Sequence, residues 1–153
     1  MQKRQKIFSL GEKIPWEDKW IYLGVALKSG PVFGCCVQET VSKFYRALNA
    51  ILRINGKSDD MVMLRLLEAH CVPILTYAIE IVHIRDADEK RKLRVAYNSV
   101  FRKIFAYTYR ESVTDLQHQL GRFTWEELIA HRQAKFAEGH LFVMDSLVRV
   151  YGG

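Results

Sequence analysis

The sequence predicts a mainly α-helical protein in which a small N-terminal β-hairpin precedes a bundle of about five helices. From residue 37 onward, apolar residues recur at spacings of three and four, which is the period of a helix with one buried face. Strand-forming residues are instead concentrated before that point, in KWIYLGVALKSG. Acidic and hydroxyl side chains stand where the helices should start and can cap their free backbone N–H groups.

Length and composition indicate one globular domain. The chain has 153 residues, of which 49% are hydrophobic and 26% are charged. Its formal charge of +6 favours an anionic partner such as nucleic acid. No stretch of roughly 20 mostly apolar residues is present, so we expect no membrane segment. The three cysteines have no metal or redox spacing, which is typical of reduced thiols in an intracellular compartment, nuclear or cytoplasmic.

The N-terminal region, residues 1–34, is predicted to contain the β-structure. KWIYLGVALKSGPVF is expected to form a strand, a turn and a short second strand, interrupted at Ser29–Gly30–Pro31. The preceding KIFSLGEKIPW predicts another short strand and turn, with Gly11 and Pro15 marking its ends.

The helical region is predicted to span residues 35–138, and its first helix is strongly amphipathic. The apolar face consists of Val37, Val41, Phe44, Leu48, Ile51 and Leu52. The opposite face carries Lys43, Arg46, Asn49 and Arg53. We expect Asn55–Gly56 to end this helix in a left-handed backbone conformation.

Two apparent motifs precede the second helix, in INGKSDD. A phosphate-binding loop ending at Gly56-Lys57-Ser58 would need a glycine at position 51, which is Ile51. The Asp59–Asp60 pair resembles the metal-binding aspartates of a polymerase, but those require a turn between two strands. Ser58 or Asp59 stands at the N-cap position, and a helix cap followed by an acidic first turn explains both aspartates. We therefore predict neither a phosphate site nor a metal site here, and we expect Pro73 to divide or kink this helix.

Three further helices are predicted after residue 85. Asp86 or Asp88 can cap the third helix, EKRKLRVAYNSVFRKIFAY. Its expected core face is Leu93, Ala96, Tyr97, Val100, Ile104 and Phe105. Ser112 should open a short helix that Gly121 closes.

The last helix is predicted from its capping box. Thr124 and Glu127 stand three residues apart, as that motif requires, and the helix should run from Trp125 to about Glu138. The tail, residues 139–153, is left unassigned because Gly139 interrupts the pattern, and the whole chain is treated as one domain.

The third helix carries the most concentrated positive charge. Between Lys90 and Arg110 there are seven basic residues and no acid. The predicted stripe opposite its core face, here named the α4 stripe, consists of Arg91, Arg94, Asn98 and Arg102. Such a stripe can follow a phosphate backbone, and Tyr107 and Tyr109 beyond it can stack on bases. The alternative is an ordinary solvated helix face.

Nothing in the chain predicts an autonomous enzyme or a cofactor. The five histidines have no H-x-x-x-H spacing, and the serines and cysteines lack the surroundings of a known nucleophile.

The order of several segments resembles the reverse transcriptases of non-LTR (LINE-like) retrotransposons. WIYLGVALKSG is followed by VSKFYRALNAILRI, then by LRLLEAHCVPILTYAIE with its C-x-P-x-L-x-Y-x-x-E pattern, and later by N-x-x-x-R-x-I. The resemblance covers roughly Ile7 to Phe136. It implies that Tyr22, Leu23 and Gly24 form a primer grip, the hairpin that positions the end of a growing strand. The helices would then form the thumb, which holds the template–primer duplex.

The same resemblance implies an RNA–DNA hybrid or another duplex as the partner, and a polymerase palm supplied in trans. The catalytic aspartates of the family's palm have no counterpart here, so we expect no polymerase activity from this chain alone. The candidate duplex-binding residues are Lys43, Arg46, Arg53, Arg91, Arg94, Arg102 and Lys103. Two alternatives stay open: a helical protein-interaction module, and a retroelement relic without function.

Overall fold

The computed structural model describes residues 8–9, 12–13, 17–29, 34–56, 58–82, 84 and 86–151. It is mainly helical, with a small antiparallel sheet before the helices, as predicted. The strands in this part of the chain are β1 (Phe8–Ser9), β2 (Glu12–Lys13), β3 (Lys19–Tyr22), β4 (Val25–Lys28) and β5 (Gly34–Cys35). The helices are α1 (Gln38–Asn55), α2 (Asp60–His70), α3 (Val72–Thr76), α4 (Ala87–Ile104), α5 (Thr114–Gln119) and α6 (Trp125–Tyr151).

The principal hairpin pairs β3 with β4 through a two-residue turn at Leu23–Gly24. Both turn residues have positive φ angles, 46° and 79°, as a type I′ turn requires, and this turn matches the right-handed twist of its strands. The break had instead been predicted at Ser29–Gly30–Pro31, and Gly30 and Pro31 lie outside the described residues. The turn lies earlier, within the predicted first strand. Its position was hard to predict because Leu23 adopts a positive φ, which leucine disfavours.

Short β-structure also surrounds this hairpin. β5 pairs antiparallel with β4, which gives the sheet order β3–β4–β5 and leaves β3 at one edge. The predicted earlier strand and turn corresponds to the two-residue strands β1 and β2, which pair with each other. Gly11 and Pro15, expected to mark this segment, lie outside the described residues.

The core is built where α1, α2, α3 and α4 meet. The periodic apolar residues of α1 and α4 face inward, as predicted, and Phe101 of α4 is buried as well. The fully buried side chains of the core include Phe44, Leu48, Leu64, Leu67, Leu93 and Phe101. Burying a large apolar side chain stabilises the fold by about 1.5–3 kcal/mol, so this cluster dominates stability.

Helices α1 and α4 lie side by side and run in the same direction. At their starts, the Val37 N–H donates to Oε2 of Glu89 at 2.7 Å, which caps α1 from another helix. Toward their ends, Nζ of Lys103 donates to Oδ1 of Asn49 at 3.3 Å. These two contacts hold one edge of α4 against α1 along most of their length.

The segment between α1 and α2 follows the cap prediction. Asp59 is the N-cap of α2, and its carboxylate accepts a hydrogen bond from the Met61 N–H at 2.9 Å. Asp60 lies in the first helical turn, where the helix dipole favours a negative charge. Both aspartates thus stand at the start of α2 and not at the tip of a strand pair.

The reason given for the end of α1 was wrong, although its position was right. Gly56 has a right-handed φ of −62°, not a left-handed one. A Cβ built on Gly56 would lie 2.8 Å from the Leu52 carbonyl oxygen. Position 56 therefore needs a glycine because its backbone lies close to the Leu52 carbonyl oxygen. The next residue, Lys57, lies outside the described residues.

Pro73 divides the next helix, as predicted. α2 ends at His70, and α3 begins at Val72 with the proline in its first turn, where its missing N–H leaves no hydrogen bond unmade. α4 begins at the predicted Asp86 cap, which accepts from the Asp88 N–H at 2.8 Å. It ends at Ile104, earlier than expected, and Ala106 then adopts a positive φ of 56°.

The last two helices lie against α4. α5 starts one residue later than expected, with Ser112 Oγ accepting from the Thr114 N–H at 3.3 Å, and the left-handed Gly121 follows it. The predicted capping box is present: the Thr124 N–H donates to Glu127 at 2.8 Å, and the Glu127 N–H donates to Thr124 at 3.3 Å.

The expected end of α6 near Glu138 was wrong, since the helix continues past Gly139 to Tyr151. One glycine inside a helix costs only about 1 kcal/mol, which good helix formers on both sides offset. In the part of the chain that the structure describes, no helix is long and apolar enough to span a bilayer.

Candidate nucleic-acid interface

The outer face of α1 presents three exposed cations, Lys43, Arg46 and Arg53. Within the described residues no carboxylate forms an ion pair with any of them. The Arg46 guanidinium donates to the Ser42 carbonyl of its own helix, at 3.4 Å. Lys43 is partly compensated, because its charge helps to lower the pKa of Glu39.

Lys103 adds a fourth cation to this face, from α4. Its hydrogen bond to Asn49 places the ammonium group beside α1, and no described carboxylate pairs with it. We name Arg46, Arg53 and Lys103 the seam cations, because they flank the line where α1 and α4 meet. Arg46 and Arg53 are seven residues, or about 10 Å, apart along one side of the helix.

The α4 stripe is arranged differently from the prediction. Arg91 and Arg94 are exposed, whereas Asn98 and Arg102 are half-buried and do not lie opposite the core. Oδ1 of Asn98 accepts from the buried Gln117 side chain of α5 at 3.1 Å. Sequence periodicity could not reveal this, because α5 and the loop before it fold back onto α4 and cover that side.

Arg94 and Arg102 of the α4 stripe each contact another segment of the same chain. Nη1 of Arg94 lies 3.4 Å from Oε1 of Glu126 at the start of α6. Nη2 of Arg102 donates to the Glu111 carbonyl at 3.1 Å, and its guanidinium lies 5.8 Å from the centre of the Tyr109 ring. The Nε of Arg102 is buried without a hydrogen-bond partner in the described structure. Arg102 is therefore a structural residue of this corner.

The hairpin stands at the N-terminal end of the α1 face. Nζ of Lys19 on β3 lies 2.7 Å from Oε1 of Glu39 in the first turn of α1. This pair raises the pKa of Lys19 and lowers the pKa of Glu39, chiefly through the shared hydrogen bond. Glu39, Arg46 and Arg53 are spaced seven residues apart, so they lie along one line on α1.

The predicted primer-grip residues form the tip of this hairpin. Tyr22 ends β3 and is 61% exposed, while Leu23 and Gly24 form the turn. Trp20 and Ile21 of the same strand are exposed as well. A row of four large apolar side chains therefore faces solvent, which is unusual for a protein without a partner.

One site residue was missed by sequence reasoning. The Tyr77 hydroxyl, just after α3, donates to the Leu23 carbonyl at 3.0 Å and connects the hairpin tip to the helices. Its sequence signal was only its place in the C-x-P-x-L-x-Y-x-x-E pattern, which says nothing about a contact 54 positions away.

The remaining polar groups do not assemble a metal or nucleophile site in the part described. No three histidine, cysteine or acidic side chains converge there, and His83 and the side chain of His140 lie outside it. Burial raises the pKa of Cys35 and of Cys71, which disfavours their reactive thiolate forms.

Comparison of the chain with models of protein families, with curated proteins and with solved structures found no match.

Proposed function

We propose that this protein binds duplex nucleic acid, such as an RNA–DNA hybrid, without sequence preference and does no chemistry by itself. The observation that carries the proposal is the face shared by the seam cations. Three cations from two helices lie together there, and no described carboxylate neutralises them. Such a face matches a phosphate backbone, which carries one charge per 1.7 Å of duplex axis.

The chemistry of this face explains the lack of sequence preference. Arginine and lysine side chains that contact phosphates fix the position of a protein on a duplex but read no base edges. Arg46 and Arg53 would contact phosphates about 10 Å apart, or about three base-pair steps along one strand.

The resemblance to retrotransposon reverse transcriptases supports the same conclusion. It expects a hairpin at Tyr22–Leu23–Gly24, followed by helices that hold a duplex, and a hairpin turn lies at those residues. Its link to α1 through Lys19 and Glu39 brings the hairpin to one end of the cationic line. Of the other expected duplex contacts, Lys43 and Arg91 are exposed, while Arg94 and Arg102 have partners within the chain.

The proposal includes the absence of nucleotide incorporation by this chain alone. Asp59 is occupied as a helix cap, and Asp60 lies in the adjoining turn. We expect purified protein to extend no primer with magnesium or manganese. Extension by pure protein would refute this part, and extension only after a polymerase palm is added would support a partner in trans.

The binding itself is tested by neutralising the seam cations. In R46Q/R53Q/K103Q, we expect the dependence of log K on log salt concentration to lose about 2–3 units of slope, because each phosphate contact contributes about 0.9. Fluorescence anisotropy of a labelled 16-base-pair RNA–DNA hybrid, titrated between 50 and 200 mM salt, measures this slope.

The matched control removes three exposed cations elsewhere, in R65Q/R110Q/K135Q. It lowers the net charge by the same three units, so it corrects for the general field of the protein. Equal losses of slope in the two triple variants would contradict the proposal, as would wild-type binding that does not respond to salt.

A second candidate is a protein-interaction module, favoured by the exposed apolar residues of β3. Trp20, Ile21 and Leu23 are each more than half exposed. Under this alternative, R46Q/R53Q/K103Q would leave every binding activity unchanged, whereas Ile21→Ser and Leu23→Ser would abolish association with the partner.

A further inference from the structure

Among the described residues, one side chain of the helical region hydrogen-bonds the hairpin turn. The Tyr77 hydroxyl donates to the Leu23 carbonyl at 3.0 Å. The same side chain lies beside Gly24, where an added Cβ would lie 3.4 Å from a ring carbon of Tyr77. Tyr77 is nevertheless 63% exposed, so the contact is not part of the buried core.

Both backbone segments at this contact are in unfavourable conformations. Leu23 has a φ of 46° and Ala78, directly after Tyr77, has a φ of 59°. Among the residues that the structure describes, only one other non-glycine residue, Ala106, has a positive φ. Strain of this kind persists only where the surrounding structure enforces it, and it is concentrated at functional sites.

The hairpin has other attachments along its length. Lys19 pairs with Glu39 near the start of β3, and the Ala26 carbonyl of β4, two residues after the turn, accepts from the Cys36 N–H at 2.9 Å. Of the described residues, Tyr77 alone hydrogen-bonds the turn from outside the hairpin. Loss of that bond would release the turn residues, while β4 stays paired with β5.

We propose that Tyr77 is a positioning residue, which holds the Leu23–Gly24 turn so that the hairpin and the seam cations meet one nucleic-acid molecule. This inference rests on the proposed function. An element already held in its bound orientation loses less conformational freedom on binding, and affinity rises accordingly. Tyr77 acts through Leu23 and Gly24 and supplies no phosphate contact of its own.

The first measurement needs no nucleic acid. Tyr77→Phe removes the hydroxyl and keeps the ring against Gly24. We expect amide hydrogen exchange across residues 19–28 to become roughly fivefold faster, the factor that corresponds to one net hydrogen bond. Tyr109→Phe is the control, because Tyr109 is exposed and its hydroxyl forms no hydrogen bond with any described residue. Unchanged exchange in Tyr77→Phe overturns the proposal.

The second measurement uses the labelled RNA–DNA hybrid. We expect Tyr77→Phe to weaken binding about two- to fivefold while the salt slope and the thermal melting of the helices stay at wild-type values. A residue that only supports the fold would lower the melting temperature and the slope together, and this result would overturn the proposal. Unchanged affinity would overturn it as well.

The two proposals fail in distinguishable ways. If the wild type binds no duplex, the proposed function is wrong, yet the exchange measurement still decides whether Tyr77 holds the turn. Gly24→Ala provides a second variant, since the φ of 79° opposes a side chain there, whereas the added Cβ would only reach van der Waals contact with the Tyr77 ring. We expect it to accelerate exchange at least as much as Tyr77→Phe, and a slower exchange would contradict the positioning role.

Discussion

The outer face of α1 and the α4 stripe have the same sequence signature but different surroundings. Each has arginines at helical spacing opposite a set of apolar residues. On α1, Arg46 and Arg53 have no carboxylate partner in the described structure. On α4, Arg94 and Arg102 contact α6 and the loop before α5.

This difference shows that a basic stripe in a sequence is not yet a basic surface. An arginine has five N–H donors, and a carbonyl, a carboxylate or an aromatic ring of the same chain can take them up. The arginines of α1 keep most of these donors free because no other element covers the outer side of α1 in the described structure. On α4, by contrast, α5 and the start of α6 cover one side.

The largest effect is expected from charge reversal. R46E/R53E should lower the affinity for a duplex about 100-fold at 50 mM salt, because two phosphate contacts are lost and repulsion is added. R91E/R94E changes the net charge equally and should cost less than tenfold. Anisotropy titrations of both variants test the contrast, and a greater loss in the α4 variant would reverse the assignment of the surface.

A smaller effect is expected where α4 caps α1. Glu89→Ala removes the carboxylate that accepts the Val37 N–H at 2.7 Å, so the free energy of unfolding should fall by about 2 kcal/mol. Glu126→Ala is the control, since its pair with Arg94 is longer and exposed, and it should cost less than about 0.5 kcal/mol. Urea denaturation measures both values, and equal values would show that the α1–α4 contact is dispensable.

Next in size is the structural arginine of α4. Arg102→Ala leaves the Glu111 carbonyl without its donor and removes the contact with Tyr109, which should destabilise the protein by about 1 kcal/mol. The exposed Arg53→Ala should change stability by less than about 0.5 kcal/mol while weakening duplex binding. If urea denaturation showed both variants equally stable, the structural role of Arg102 would be contradicted, and Arg102 would again be a candidate for contact with a duplex.

The smallest effect concerns pH and the start of α6, which covers the α4 stripe. Hydrogen bonds from the Thr124 backbone and hydroxyl, and then the nearby His118, hold the pKa of Glu127 below its usual 4.5. Its stabilising contribution is therefore present above pH 4.5 and is lost as the pH falls through the lower, folded-state pKa.

Glu127→Gln tests this sign. We expect its urea midpoint to lie below that of the wild type at pH 6, and the difference to shrink as the pH falls toward 3. A difference that grows on acidification would contradict the lowered pKa. Glu126→Gln, one residue away, corrects for the general loss of a negative charge.

Local interactions account for what could be predicted from the sequence. The caps at Asp59, Asp86 and Thr124 and the break at Pro73 were identified because each depends on residues a few positions apart. The amphipathic face of α1 was identified for the same reason, since helical period alone places its cations outside and Phe44 and Leu48 inside.

The candidate site was only partly predictable. The hairpin residues and the α1 cations are exposed, whereas the contact of Tyr77 with the turn was not predicted and Arg102 has partners within the chain. Residue propensity predicted the break at Ser29–Gly30–Pro31, and only the resemblance implied a hairpin at Leu23–Gly24, because a leucine with positive φ runs against its own propensity. The end of α6 was placed too early because one glycine is a weak signal against a long helix.

Patterns in the sequence are enough to specify where helices begin, which of their faces are apolar and how much positive charge the chain carries. Which cations stay available depends on tertiary contacts such as Arg94–Glu126 and Lys103–Asn49, between residues 32 and 54 positions apart. Secondary structure is set by hydrogen bonds and steric limits within a few residues of each position. The electrostatic character of a surface is set by whichever distant segments fold against it.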